Sequence, residues 1–155
     1  MFEILHVTTV HGRYDTRIFV KQACSSAESF ESVGLLVADG AQNEIKNDVA
    51  LISSKYFAKR LKHVLNPWIA LILILFFRKF RSHIYHFHDP ELIVIAAVLG
   101  LIVGKRRVII DVHESTHEAI LNKVYIPKVL RGLFARVWDI SEIFLVKNFI
   151  SNVVA

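Results

Sequence analysis

IYHFHDPELIVIAAVLGLIVGKRRVIIDV, residues 84–112, is the stretch that decides the fold. A short apolar segment at residues 84–87 is followed by a proline and an almost wholly apolar run that ends near Val103. Apolar, β-branched residues return at 107–112. An apolar strand, a helix and a second apolar strand are typical of the unit that pairs strands in parallel and covers them with a helix. The stretch therefore predicts a parallel sheet.

The same alternation extends in both directions along the chain. Apolar segments at residues 3–9, 32–38, 49–52 and 150–154 predict four further strands. Helical spacing predicts a helix capped by Asp15 or Thr16, a helix from Tyr56 to about Phe80 that Asn66-Pro67 interrupts, and a long helix from Pro127. The apolar face of this last helix consists of Leu130, Leu133, Phe134, Val137 and Ile140. We expect an α/β fold, a Rossmann-like parallel sheet with helices on both faces, in a single domain spanning residues 1–155.

Composition agrees with one globular domain. Of 155 residues, 54% are hydrophobic and 21% are charged, which excludes disorder. Cys24 is the single cysteine, so no internal disulfide can form, and we expect a cytoplasmic location. The N-terminus lacks the basic segment of a signal peptide. Two apolar runs, 68–77 and 92–103, are shorter than the ~20 residues that a membrane-spanning helix needs.

The net charge of +5 is concentrated in one region. Between Val49 and His88 there are seven Lys and Arg residues and no Asp or Glu. Lys55, Lys59, Arg60 and Lys62 precede an apolar run, which fits either a core helix with a solvated face or attachment to an anionic membrane, on the inner face of the plasma membrane. Nucleic acid is not expected as a partner, because the aromatic residues are not interleaved with the basic ones.

Three polar loops follow strands 1, 4 and 5 of this pattern and should meet at the carboxyl edge of the sheet, where ligands of open α/β sheets bind. The first loop is HGRYDTR, residues 11–17. It leads into a helix N-terminus, so it is either an anion site to which Arg13 and Arg17 contribute or a solvated loop with a capping Asp15. Gly12 is its one glycine, and a dinucleotide fingerprint is absent.

The second and third loops add histidines and carboxylates. Period two places His86 and His88 on one face of a strand, with His88 at the tip as the better candidate for a polar role and His86 as a buried, hydrogen-bonded residue. Asp89 precedes Pro90 and could also cap a helix. The third loop follows Asp111 and contains His113 and Glu114.

A metal-dependent hydrolase is the first alternative. His86, His88, Asp89 and Asp111 are residues of suitable ligand type. The histidine and aspartate spacing of the common metallohydrolases is absent, however, and we expect no metal and no cofactor. A non-catalytic binding module on the same fold is the second alternative.

Three segments carry a resemblance to a known family. ILHVTTVHGRYDTRIFVKQA, YHFHDPEL and VIIDVHE, in this order, resemble the N-terminal domain of the family-four glycosyltransferases, bacterial enzymes of capsule, O-antigen and exopolysaccharide assembly. The likeness runs through essentially the whole chain. It implies the N-terminal, acceptor-side half of a GT-B fold, in which a retaining, metal-independent enzyme transfers a sugar from a nucleotide-sugar donor to a saccharide or lipid-linked acceptor.

The resemblance also implies roles for individual residues. His88 is the expected catalytic residue near the reacting sugar, and the first loop is expected to approach the donor diphosphate through His11, Gly12, Arg13 and Arg17. Asp89, His113 and Glu114 are expected to line the cleft. The C-terminal, donor-binding domain with its E-x7-E motif is absent from the sequence, so we expect this half to be inactive by itself.

Overall fold

The computed structural model describes residues 1–54, 62–111, 116–124 and 127–154, with the backbone alone at residues 62–64. Across these residues seven strands form one sheet. The strands are β1 Phe2–Thr8, β2 Val33–Val37, β3 Glu44–Lys46, β4 Val49–Ser53, β5 Ser82–Phe87, β6 Val108–Asp111 and β7 Asn152–Val154.

Helices connect most of the parallel strands. A π-helix, Thr16–Ala23, continues into α1, Cys24–Ala27, and three short 3-10 turns cover Arg78–Phe80, Pro90–Leu92 and Lys105–Arg107. The longer helices are α2 Lys62–Phe76, α3 Ile93–Val103, α4 Thr116–Asn122 and α5 Lys128–Phe149.

The strand order is β3-β4-β2-β1-β5-β6-β7, and every pairing except that of β3 with β4 is parallel. Without β3, the remaining six strands have the 3-2-1-4-5-6 order of a doubly wound Rossmann sheet. The prediction of a Rossmann-like parallel α/β fold is confirmed. The order reverses between β1 and β5, and in such sheets that switch point is where ligands bind.

Strand β3 was not predicted. It is three residues long and forms a hairpin with β4 through Asn47 and Asp48, whose φ angles are 50° and 61°. Two adjacent residues with positive φ are typical of the tight turns that close hairpins, and Asn and Asp tolerate this conformation. The Asn-Asp pair was therefore the available signal, whereas the short polar strand carries no hydrophobic pattern.

Helices cover both faces of the sheet, as predicted. Leu5 and Val7 of β1 point to one face, where they pack with α2, α3 and α5 in a core cluster. Ile4 points to the opposite face, where Ile18 and Phe19 of the π-helix cover it. Alternation along each strand produces these two cores, because successive side chains of a strand point to opposite faces.

The predicted interruption at Asn66-Pro67 is wrong. Helix α2 runs from Lys62 to Phe76 with Pro67 inside it. A proline inside a helix removes one i→i−4 hydrogen bond and crowds the carbonyl four residues before it, but the turns that follow bury Ala70, Leu71 and Ile74 in the core. Their burial outweighs the lost hydrogen bond.

The apolar face of α5 is turned outward. Leu133 is 58% exposed and Ile140 is 69% exposed, whereas Ala135 is buried and Trp138 packs against the core. The inward side also contains Asp139, which accepts a hydrogen bond from His117 of α4 at 2.6 Å. No helix among the described residues is both long and apolar enough to cross a membrane.

Helices α3 and α5 approach most closely at Gly100. A Cβ at this position would meet the carbonyl oxygen of Phe149, the last residue of α5, at less than contact distance. Gly132, in the second turn of α5, has open space where its Cβ would lie. Packing therefore requires a glycine at position 100 but not at position 132, so substitution of Gly132 is a control for substitution of Gly100.

Gly100→Ala should lower the free energy of unfolding by about 1–3 kcal/mol, because the added methyl forces α5 away from α3. Gly132→Ala should raise it by roughly 0.5–1 kcal/mol, since alanine loses less backbone entropy in a helix. Urea denaturation followed by circular dichroism measures both. Equal effects of the two substitutions would contradict the close approach of these helices.

Candidate functional site

A group of buried polar side chains lies at the switch point of the sheet. His6 of β1 is paired in register with His86 of β5, and period two places His88 on the same face. Asp111 ends β6 on that face, two residues beyond Ile109, which pairs with His86. Because the π-helix and α1 cover this face, the histidines and Asp111 are all buried.

A chain of hydrogen bonds links these side chains. His6 Nε2 lies 3.1 Å from Ser26 Oγ, and His6 Nδ1 lies 2.9 Å from His88 Nε2. His88 Nδ1 lies 3.5 Å from Asp111 Oδ2. The carboxylate can only accept, so His88 carries its proton on Nδ1, His6 donates from Nδ1 to His88, and the Ser26 hydroxyl donates to His6. One set of tautomers therefore satisfies all three contacts.

Burial keeps the imidazoles neutral. It lowers the pKa of His6 well below the usual range and that of His86 to about 3, and the neighbouring imidazoles lower both further. The pKa of His88 is lowered by burial as well, partly offset by its contact with Asp111. Burial acts to raise the pKa of Asp111, but hydrogen bonds from His88 and Gln22 outweigh this and hold it at about 2. At neutral pH three neutral rings face one carboxylate.

Asp89 fixes the first loop to the end of β5. Its carboxylate accepts hydrogen bonds from the hydroxyl of Thr8, from the backbone N–H and hydroxyl of Thr9 and from the backbone N–H of Val10. His11 Nε2 lies 3.6 Å from it. Burial raises the pKa of Asp89, and these donors act against that rise. His11 and Asp89, both predicted for the cleft, are thus brought together, and Asp89 positions the loop.

The π-helix supplies the cover of the site. Asp15 caps it, as predicted, by accepting hydrogen bonds from the backbone of Arg17 and Ile18 at 2.9 Å. Gln22 donates to Asp111 Oδ2 at 2.9 Å. Arg17 lowers the pKa values of His86, His88 and Asp111 through its charge. Its Nε and Nη2 are buried without a hydrogen-bond partner among the described residues.

Arg13 occupies a different environment. Its guanidinium forms a two-pronged ion pair with Asp39, at 2.8 and 3.1 Å, and a further ion pair with Glu44 at 2.7 Å. Nη1 also donates to the carbonyl of Gln42. These donors are committed to the loop between β2 and β3, so Arg17, and not Arg13, offers unpaired donors at the switch point.

The remaining predicted residues fall into two groups. Gly12 is exposed, and nothing lies within 4 Å of where its Cβ would be. Lys62 starts α2, whereas Lys55, Lys59, Arg60, His113 and Glu114 lie outside the described residues.

Three residues of the site were not predicted. They are His6, Gln22 and Ser26, which contact His88, Asp111 and His6 respectively. For His6 a signal existed, because an imidazole at an inward position of an otherwise apolar strand requires a polar partner. No local pattern marks Gln22 and Ser26, because only the packing of the π-helix and α1 on the sheet brings them next to Asp111 and His6.

The site combines two chemical capabilities. Buried N–H donors of a cation can bind an anion strongly, because hydrogen bonds to charged groups strengthen where water is excluded. Neutral imidazoles can transfer protons or ligate a metal ion, and one ring nitrogen from each of His6, His86 and His88 lies within 4.8 Å of the others. No protein-family model and no curated protein matches the chain. Function is therefore inferred from the fold and from this site.

Asp39→Asn should lower the free energy of unfolding at pH 7 by roughly 1–2 kcal/mol, since the pair with Arg13 is part-buried. Burial acts to raise the pKa of Asp39, but Arg13, Ser53 and the Ala41 N–H lower it to about 2. A carboxyl with a lowered pKa stabilises the fold above its ordinary pKa of about 4, and this contribution disappears as the pH falls toward 2.

Urea unfolding of both proteins between pH 7 and pH 2 tests this expectation. The difference between wild type and Asp39→Asn should shrink across the acid range. Asp48→Asn removes an exposed carboxylate from the β3–β4 turn and controls for the change in net charge. A difference that is constant with pH would show that the ion pair does not contribute.

Proposed function

We propose that the chain is the acceptor-side half of a GT-B-type glycosyltransferase. It would act in polysaccharide assembly, where a sugar passes from a nucleotide-sugar donor to a saccharide or lipid-linked acceptor. The observation that carries the proposal is the position of Arg17, whose unpaired, buried donors lie beside the imidazole cluster at the switch point of a Rossmann-like sheet. That point is where such sheets bind nucleotide ligands.

Arg17 supports the donor side of the reaction. Transfer from a nucleotide-sugar leaves negative charge on the departing diphosphate, and a cation with fixed donors stabilises developing charge most effectively where no reorganisation is needed. Nε and Nη2 of Arg17 have no partner among the described residues, so binding an anion breaks no ion pair of these two atoms. Asp15 fixes the backbone at Arg17 by accepting its N–H.

His88 supports the reaction as a residue that orients the site. It is fully buried, contrary to a tip position open to substrate, because the π-helix covers the end of β5. Its ring connects His6 with Asp111, and Asp111 in turn holds Gln22 of the π-helix. Loss of the ring would therefore disturb the carboxylate and the helix that carries Arg17.

Transfer can be measured with membranes from the source organism after deletion of the gene. Such membranes supply lipid-linked acceptors and any complementing donor-binding partner. Purified chain is added with radiolabelled UDP- and GDP-hexoses, and incorporation into lipid and polymer fractions is counted. We expect wild-type chain to restore incorporation and His88→Gln to lower it by about 100-fold, the cost of misplacing reacting groups by about 1 Å.

His83→Gln is the matched control, because His83 lies on the same strand but is exposed. It should retain wild-type incorporation. Circular dichroism establishes that each variant is folded, and an unfolded His88→Gln would assign His88 to stability alone. If the wild-type chain binds nucleotide-sugars but restores no transfer, the chain is a non-catalytic binding module and the proposal fails.

Contact with a membrane surface belongs to the same proposal. Trp68, Ile72 and Phe76, spaced by four residues along α2, are 49%, 51% and 77% exposed. Arg78, Lys79 and Arg81 follow them directly. Exposed apolar side chains next to cations suit an anionic lipid surface, where the rings enter the acyl boundary and the cations meet headgroups.

Phe76→Asp should weaken binding to vesicles of phosphatidylglycerol and phosphatidylcholine by about tenfold, because one large side chain no longer leaves water. Ile45→Asp, at an exposed position of the edge strand β3, should not. Vesicle flotation measures binding, and phosphatidylcholine alone should bind less chain. Equal binding of both variants, or no effect of anionic lipid, would exclude this surface.

A further inference from the structure

The imidazoles of His6, His86 and His88 form a second kind of site within the buried cluster. One ring nitrogen from each lies within 4.8 Å of the other two. The ring centroids of His86 and His88 are 4.3 Å apart, and those of His6 and His86 are 5.0 Å apart. Three ligand atoms of one chemical type, held by two adjacent strands, therefore face a shared volume.

In His6 and His88, one ring nitrogen of each already has a hydrogen-bond partner outside the group of three rings. His6 Nε2 contacts Ser26 Oγ, and His88 Nδ1 contacts Asp111 Oδ2. Metal-bound histidines typically use their second ring nitrogen in this way, to bond a carboxylate or another polar group that orients the ring. The nitrogens left on the inside, His6 Nδ1 and His88 Nε2, lie 2.9 Å from each other.

His86 provides an independent indication. Its Nε2 is buried and has no hydrogen-bond partner in the part of the chain that the structure describes. A buried polar atom without a partner costs roughly 1–3 kcal/mol, and a bound ion is one of the features that account for such an atom in a native structure. The three rings are buried, so water from the surface does not supply that partner.

We propose that His6, His86 and His88 bind one late first-row transition-metal ion, for which Zn²⁺ is the natural occupant. Imidazole nitrogen suits Zn²⁺, Co²⁺, Ni²⁺ and Cu²⁺, whereas Mg²⁺ and Ca²⁺ require oxygen ligands. With metal–nitrogen bonds of about 2.0–2.1 Å in tetrahedral geometry, ligand atoms are about 3.3 Å apart. The His6–His88 contact has to open by roughly 0.4 Å, and a separation near the 4.8 Å limit has to close by roughly 1.5 Å, through rotation of the rings.

Protons balance without an external acid or base. His6 moves its proton from Nδ1 to Nε2, and the Ser26 hydroxyl changes from donor to acceptor, so no net proton is released. His88 keeps its proton on Nδ1 toward Asp111. The negative charge of the Asp111 carboxylate favours a bound cation, whereas the positive charge of the Arg17 guanidinium disfavours it. Three protein ligands leave the fourth position of a tetrahedral ion to a ligand from outside the chain.

The proposal does not rest on glycosyl transfer, and metal binding is measured on the chain alone. Purified chain, stripped with EDTA and desalted, is dialysed against Zn²⁺ and analysed for bound metal. Titration with Co²⁺ reports coordination directly through the visible absorption of a tetrahedral, nitrogen-ligated ion. We expect one ion per chain with a dissociation constant of ~10 µM or tighter. Mg²⁺ should not compete, and Zn²⁺ should displace Co²⁺.

Variants locate the site. His86→Ala removes the ring whose Nε2 lacks a partner and should weaken binding by about 100-fold. His83→Ala, on the same strand and exposed, should bind as wild type. Absence of stoichiometric binding to wild-type chain, or binding by His86→Ala within threefold of wild type, overturns the proposal.

Nitrogen-15 NMR of the imidazoles in wild-type chain provides a readout that no folding defect of a variant can affect. Zn²⁺ should shift the ring signals of His6, His86 and His88. Shifts confined to His11, His83 or His117 overturn the proposal. Failure of sugar transfer with intact metal binding leaves this site in place, and loss of metal binding leaves the transferase proposal in place.

Discussion

The buried carboxylate of Asp89 is the constraint on which the site depends. It accepts hydrogen bonds from both ends of the turn that leaves β1, and it lies directly beyond β5. Because β1 and β5 flank the switch point, this one carboxylate fixes the two strand ends relative to each other and sets the direction of the loop. That loop leads to Asp15, which starts the π-helix and so determines where Arg17, Gln22 and Ser26 lie over the sheet.

The cluster beneath the π-helix shows how a sheet can hold polar groups in its interior. A buried imidazole is costly when it is charged or unpaired. The chain limits this cost by keeping the three rings neutral and by joining His6 and His88 in a series of hydrogen bonds. Hydrogen bonds link Ser26 to His6, His6 to His88 and His88 to Asp111, and Gln22 donates a further hydrogen bond to the carboxylate of Asp111. Four atoms of the cluster have no hydrogen-bond partner among the described residues: His86 Nε2, Gln22 Oε1, and Nε and Nη2 of Arg17. At His86 and Arg17 a ligand would supply the missing hydrogen bond or coordination. The anion and metal proposals both begin from these atoms.

The opposite helical layer has a different character. Helices α2 and α5 bury one side of their surface in the core and leave large apolar side chains on the other, so their outer faces are less polar than those of an ordinary surface helix. On α5 the carboxylates of Asp139 and Glu142 bond to His117 and Trp138 of the chain itself. The apolar outer face of α5 and the cations after α2 are compatible with an anionic surface.

Local pattern determined the fold class, the parallel strands, the cap at Asp15 and the edge of the sheet at which the first loop, Asp89 and Asp111 lie. These follow from period two, period 3.6 and the chemistry of helix starts, which depend on near neighbours in the chain. Tertiary structure alone decided which polar groups pair. The sequence makes Arg13 a candidate anion ligand, but in the structure its guanidinium is paired with Asp39 and Glu44. The sequence also favours a helix end at Pro67, but burial of the turns that follow keeps α2 continuous. His6 joined His88 across 82 positions of sequence. A hydrogen bond or ion pair requires two groups to be placed to within a few tenths of an ångström. For residues far apart in the chain, that placement exists only once the sheet has formed.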